Sequence, residues 1–131
     1  MRCLLDTVIF LWSISTQEKL NKEARELLVN PRHEIYLSAA SSWEISLKVA
    51  IGKLKLPGPA SRFVPERLQI LGIQPLSITH SHALAVGDLP PHHRDPFDRM
   101  LIAQARVEKM VLLTSDHQLS KYDVEILWCG K

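Results

Sequence analysis

Apolar residues fall along this chain in two alternating patterns. Short continuous runs such as Cys3-Leu4-Leu5 and Val111-Leu112-Leu113 suit strands buried on both faces. They predict strands at 2–6 and 111–114, with further strands at Glu34–Ser38 and Val124–Leu127. Ile73–Ile78 reads as another strand, confined to an edge because Pro75 has no N–H to donate. Between these runs the apolar positions take helical spacing. Thr7–Ile14 forms a first helix, and Asn21–Asn30 a second with Ala24, Leu27 and Leu28 on one face and Pro31 beyond its end. Ser41 or Ser42 is placed to cap a third helix that ends near Gly52. After the turn Pro57-Gly58-Pro59, Val64–Leu71 is helical, with Pro65 tolerated at its start. His80–Val86 is a short helix that Gly87 is placed to end, Asp88–Arg94 is a loop, and Pro96–Lys109 is a long helix apolar nearly all round. Strands alternating with helices predict an α/β domain whose parallel sheet, of four to five strands, is covered on both faces.

At 131 residues the chain is long enough for one sizeable core, so a single domain over 1–131 is expected. A hydrophobic fraction of 46% argues against disorder, and a net charge of +2 supplies no polybasic tail. Asp6 interrupts the first apolar run and no small-residue cleavage site follows it, which disfavours a signal peptide. No run approaches the ~20 apolar residues of a membrane span. Cys3 and Cys129 lack metal-ligand spacing and read as free thiols of a reducing compartment, so a cytoplasmic location is expected.

Four acids stand beside apolar segments: Asp6 after the first strand, Glu44 within an apolar helix, Asp98 in Arg94-Asp95-Pro96-Phe97-Asp98-Arg99, and Asp116 after Thr114-Ser115. Open α/β sheets place their sites outside the carboxyl ends of the strands, where Asp6 and Asp116 would lie. Each acid also has a structural alternative. Asp6 and Asp116 suit helix caps, and Asp95 suits the N-cap before Pro96, with Asp98 in the first turn. Glu44 suits an ion pair with Lys48 one turn on, although Trp43 and Ile45 beside it favour burial. His80, His82, His92 and His93 lack the spacing of a structural zinc site and read as solvated by default. Neither a glycine-rich phosphate loop nor a nucleophile elbow is present.

Taken together, Leu-Leu-Asp-Thr, Ser-Ser-Trp-Glu-Ile, His-His-Arg-Asp-Pro-Phe-Asp-Arg-Met-Leu-Ile-Ala and Leu-Leu-Thr-Ser-Asp resemble the PIN-domain family, in particular VapC-type toxins of toxin–antitoxin pairs. The resemblance covers Leu4 to Trp128 and implies a three-layer α/β/α fold. It further implies a metal-dependent ribonuclease with Asp6, Glu44, Asp98 and Asp116 as its acids. Asp6, Asp98 and Asp116 would ligate Mg²⁺ or Mn²⁺, hard ions that prefer carboxylate and water oxygens. Asp95, Thr7, Thr114 and Ser115 would support them. Lys48, Lys53, Lys55, Arg94 and Arg99 are candidates for the RNA backbone, a solvated face being their structural alternative. The resemblance implies a VapB-like antitoxin as partner, and a homodimer. Trp12, Trp43 and Phe63 are candidates for lining an antitoxin groove, with core packing preferred for Trp43. Val8 departs from the histidine often found after Asp-Thr in this subgroup. The alternative to an enzyme is a catalytically inactive PIN-fold module that binds RNA or protein.

Overall fold

A computed structural model describes residues 1–131. Five strands, β1 (Arg2–Leu5), β2 (Glu34–Ser38), β3 (Gln74–Leu76), β4 (Val111–Thr114) and β5 (Ile126–Trp128), form one sheet in the order β3-β2-β1-β4-β5. Every pairing is parallel. Six helices connect them: α1 (Thr7–Ser15), α2 (Lys22–Val29), α3 (Ala39–Ala50), α4 (Ala60–Leu71), α5 (His80–Ala85) and α6 (Pro96–Glu108).

The period of two along a strand sorts side chains between two cores. Cys3, Leu5, Ile35, Leu37, Val111 and Leu113 pack on one face with Ile9 and Phe10 of α1 and Phe63 and Val64 of α4. Leu4 and Leu112 point the other way, against Leu101, Ile102 and Ala105 of α6. Winding runs outward from β1 to β3, then returns to β4 beside β1 and continues to β5. Right-handed crossovers put the connecting helices on opposite faces when the winding direction reverses. That reversal leaves a crevice between the carboxyl ends of β1 and β4.

Several boundaries differ from expectation. Helix α3 begins directly at the end of β2, capped by Ser38 through its hydroxyl to Ala40 N, rather than by Ser41 or Ser42. Helix α4 begins at Ala60, which leaves Pro65 inside it and not at its start. Pro65 is exposed there, so the carbonyl it leaves without an amide partner faces solvent. Gly87 lies in a 3₁₀ turn, Val86–Asp88, and terminates nothing through a left-handed conformation. Trp43, expected in the core, is 57% exposed, in line with exposed Leu47 on α3 and Ile51 just past its end. Pro75 does lie on an edge strand, where its missing N–H breaks no ladder.

Candidate active site

The crevice at the sheet switch point is a cleft of about 350 Å³ holding Asp6, Glu44, Asp95, Asp98 and Asp116, with Lys48 and Lys53 beside them. The five acids arrive on four supports, Asp95 and Asp98 together at the start of α6. Asp6 directly follows β1, and its backbone N–H extends the ladder to Leu113 O at 2.9 Å. Although Asp6 stands at the N-cap of α1, its side chain makes no capping hydrogen bond. Its Oδ2 accepts from Thr114 Oγ1 at 2.7 Å, and that hydroxyl accepts from the Asp116 N–H at 3.0 Å. Thr114 thereby links the acids that follow β1 and β4. Thr7 Oγ1 donates to Ser41 Oγ at 2.8 Å, tying the start of α1 to α3.

Asp95 and Asp98 occupy the mouth of α6. Asp95 is its cap, accepting from Phe97 N and Asp98 N. Asp98 is left free to face the cleft, where His93 Nε2 lies 2.7 Å from its Oδ2. Asp116 also caps, accepting from Gln118 N at 2.9 Å. Glu44 is 7% exposed and pairs with Lys48 Nζ at 2.6 Å, so the expected ion pair and the expected burial both occur.

Crowding of carboxylates sets the electrostatics. Burial pushes Asp6 above the ordinary carboxylate range and the charges of Glu44 and Asp116 add to the shift, against the hydrogen bond from Thr114 and the nearby Thr7 N–H dipole. Burial and then the Asp6 charge push Asp98 up to about 7, with His93 opposing. Burial pulls His93 down, but the hydrogen bond and charge of Asp98 and the charge of Asp116 outweigh it and leave His93 raised. The hydrogen bond to Glu44 raises Lys48, helped by the charges of Asp95 and Asp98. Ligand atoms of His93, Asp98 and Asp116 lie within 4.8 Å of one another. A cleft with five carboxylates and two lysines has the donor chemistry of a hard divalent-cation site, because carboxylate oxygens dominate and like charges need a counter-ion.

Not every candidate faces the cleft. Ser115 lies beside Gly130 and is not among the residues lining it. Lys55 is exposed outside it, and Arg94 lies in the neighbouring groove. Arg99 is engaged elsewhere: its guanidinium donates to the carbonyls of Pro90, His93, Val86 and Leu89 and to Tyr122 Oη. Two polar residues take other roles than the sequence reading gave them, His93 as solvated and Ser41 as a helix cap. His93 precedes the acid motif and returns to it only through the fold of its loop, and Ser41 offers no signal beyond lying one helical turn before Glu44. The default of solvated histidines also fails at His82, which is buried between Thr79 N and Glu108 Oε2. Cys3 and Cys129 are free and buried, and burial pushes the Cys129 thiol up to about 12.

Known proteins share this fold. Residues 3–125 match the PIN domain family. Ribonuclease VapC16 of Mycobacterium tuberculosis is 43% identical over 60 residues, which make up 46% of this chain and 43% of that relative's length. A chain of the VapBC2 crystal structure from Rickettsia felis, bound to a DNA fragment from its promoter, superposes with a TM-score of 0.76 at 15% identity. The superposition covers 99% of this chain and 100% of that one. A chain of FitAcB from Neisseria gonorrhoeae gives a TM-score of 0.67 at 23% identity, covering 95% and 96% respectively. With its parallel sheet, its acids at the switch point and the family match over nearly its whole length, this chain belongs to the PIN-domain family.

Proposed function

We propose that this chain is a divalent-metal-dependent endoribonuclease acting as the toxin of a toxin–antitoxin pair. One observation carries the proposal: Asp6 stands at a helix start yet caps nothing, and it lines one cleft together with Asp98 and Asp116. A merely structural set of caps would direct each carboxylate to its own helix. Asp95 does that, and so in part does Asp116. The similarity to a ribonuclease over part of its length, and to toxin–antitoxin complexes in fold, agrees with this function. A VapB-like antitoxin is then the expected partner, and a homodimer the expected assembly.

Asp6, Asp98 and Asp116 would hold Mg²⁺ or Mn²⁺, with Glu44 and His93 beside them. When bound, such an ion supplies Lewis-acid activation of a phosphodiester and a nucleophilic water at neutral pH. The side chains do the positioning. Thr114 Oγ1 fixes the orientation of the Asp6 carboxylate and couples it to the Asp116 backbone. Outer hydrogen bonds of this kind orient metal ligands and raise their basicity. Lys48 holds Glu44 in place, and Lys53 offers the cleft a second positive charge for an RNA phosphate. His93 Nε2 and Asp98 Oδ2 share a hydrogen bond of 2.7 Å, which keeps that carboxyl group oriented when no cation is near.

Purified chain, freed of any partner, would be incubated with structured and single-stranded RNAs in Mg²⁺ or Mn²⁺. Internal cleavage that disappears with chelator and in Asp6→Asn is the expected result. Metal binding without cleavage of any RNA would instead favour a PIN-fold binding module.

A further inference from the structure

His93 brings an imidazole to a cluster otherwise made of carboxylates. Its side chain is only 18% exposed, and Nε2 stands 2.7 Å from Asp98 Oδ2. One donor atom each of His93, Asp98 and Asp116 lie within 4.8 Å of one another, and no other three histidine, cysteine or acid side chains come so close. That spacing suits a shared ion. Ligands at roughly 2.1 Å from a six-coordinate ion stand about 3 Å apart when adjacent and about 4 Å apart when opposite. The three side chains arrive from separate supports. Asp98 lies in the first turn of α6, Asp116 follows β4, and His93 comes from the loop before α6. That loop is pinned on both sides of the imidazole: Arg99 donates to the carbonyls of Pro90 and His93, and Asp95 caps α6. The adjacent His92 is turned elsewhere, edge-to-face on Tyr122 at 5.2 Å between centroids.

We propose that His93 is a metal ligand through Nε2, beside Asp98 and Asp116, and that it makes the site favour transition-series divalent ions over Mg²⁺. The proposal rests on the metal-dependent function above and deepens it by naming the class of ion that the site prefers. Carboxylates alone would discriminate little, because Mg²⁺ and Mn²⁺ both take carboxylate and water oxygens. An imidazole changes the balance. Affinity for a mixed nitrogen and oxygen site rises from Mn²⁺ through Co²⁺ to Ni²⁺, whereas Mg²⁺ gains little from a nitrogen donor. The competing role for His93 is that of an outer partner, donating to Asp98 while the ion takes only carboxylates. Thr114 shows what such a partner looks like in this fold: its hydroxyl is spent between Asp6 Oδ2 and the Asp116 N–H. His93 Nε2 instead stands among the ligand atoms of two carboxylates. With the ring proton on Nδ1, Nε2 turns a lone pair to the ion, and its contact with Asp98 becomes the edge between two ligands.

Pulsed electron paramagnetic resonance on the full, tag-free chain loaded with Mn²⁺ tests this without any substrate. A nitrogen hyperfine coupling on the Mn²⁺ signal should be present in the wild type and in His92→Gln, and absent from His93→Gln. The wild-type spectrum carries the test even if the variant does not fold, since no other imidazole stands among these carboxylates. Titration calorimetry with Co²⁺ and Mg²⁺ then separates the two roles. Gln keeps a donor for Asp98, so an outer role would survive His93→Gln or be lost equally for both ions. A ligand role should cost Co²⁺ at least about 10-fold, the loss that even an outer partner produces, and leave Mg²⁺ unchanged. Bound Mn²⁺ without nitrogen coupling would overturn His93 as a ligand and leave the metal-dependent function standing. So would a coupling that persists in His93→Gln, or equal losses of Co²⁺ and Mg²⁺. Failure of the wild type to bind Mn²⁺, Co²⁺ or Mg²⁺ would remove the metal-dependent function and this role with it.

Discussion

At Asp6 the backbone starts a helix while the carboxylate turns aside to Thr114 Oγ1, and this division of labour lets structural and functional roles be separated by mutation. Thr114→Val keeps the shape of a fully buried residue and deletes one hydrogen bond. It should weaken metal affinity roughly 10–100-fold, as loss of an outer-shell partner does, when followed by titration calorimetry with Mn²⁺. The pH response follows from the raised groups. Asp98 titrates from 3.8 in its ordinary state to about 7 in the folded chain, so folding favours its protonated form. Its contribution is fully present below the unfolded value and is lost as pH rises toward the folded one. Asp6 and His93 are also raised and have the same sign. The metal-free protein should therefore melt at a lower temperature near pH ~8 than near pH ~5, and Asp98→Asn should flatten that slope. A melting temperature that climbs over this range would contradict the assignment of buried, mutually repelling acids.

Helix ends and one clamped loop carry the element-scale argument. Asp95 donates nothing and accepts twice at the start of α6, a cap whose removal typically costs about 1 kcal/mol. Asp95→Ala should lose that amount in denaturant unfolding, equally with and without divalent ion. A loss confined to the metal-loaded protein would make Asp95 a ligand instead. The segment before α6 depends on Arg99, which gathers the carbonyls of Val86, Leu89, Pro90 and His93. Leaving those carbonyls without a donor loosens the loop that carries His93 to the cleft. Arg99→Ala should therefore raise protease sensitivity between Val86 and Arg94 while α6 stays folded, with Arg99→Lys restoring little because a single ammonium cannot reach four carbonyls. Limited proteolysis followed by mass mapping reads this directly.

Across the whole molecule, the reversal of winding at β1 and β4 determines where charge collects. Two adjacent parallel strands end together, their connections diverge to opposite faces, and α3 and α6 bring their acids to the gap between them. A cation bound there favours only the folded chain, because the unfolded chain scatters the ligands. Saturating Mn²⁺ should raise stability by about 2.7 kcal/mol at a hundredfold excess over Kd. Calorimetric melting with Mn²⁺ and with chelator measures this shift, which should vanish in Asp6→Asn combined with Asp98→Asn.

Local order was legible in the sequence wherever short-range chemistry decides it. The buried strands announce themselves in Leu4, Leu5, Leu112 and Leu113, Pro75 assigns its strand to an edge, and Asp95-Pro96 opens α6. Periodicity, capping and the missing proline N–H all act within a few residues, so one sequence suffices for them. The acids too could be picked out, because each stands beside an apolar segment. What surrounds a side chain is another matter. Trp43 reads as core from its apolar neighbours, yet it meets α6 only edge-to-face at Phe97 and is left open to solvent. Arg99 reads as a free cation until the loop folds over it, and His93 reads as solvated until that loop returns it to Asp98. These outcomes depend on which strand lies beside which and on how each connection crosses the sheet. Contacts between residues far apart in the chain decide them, and only the tertiary structure contains those contacts.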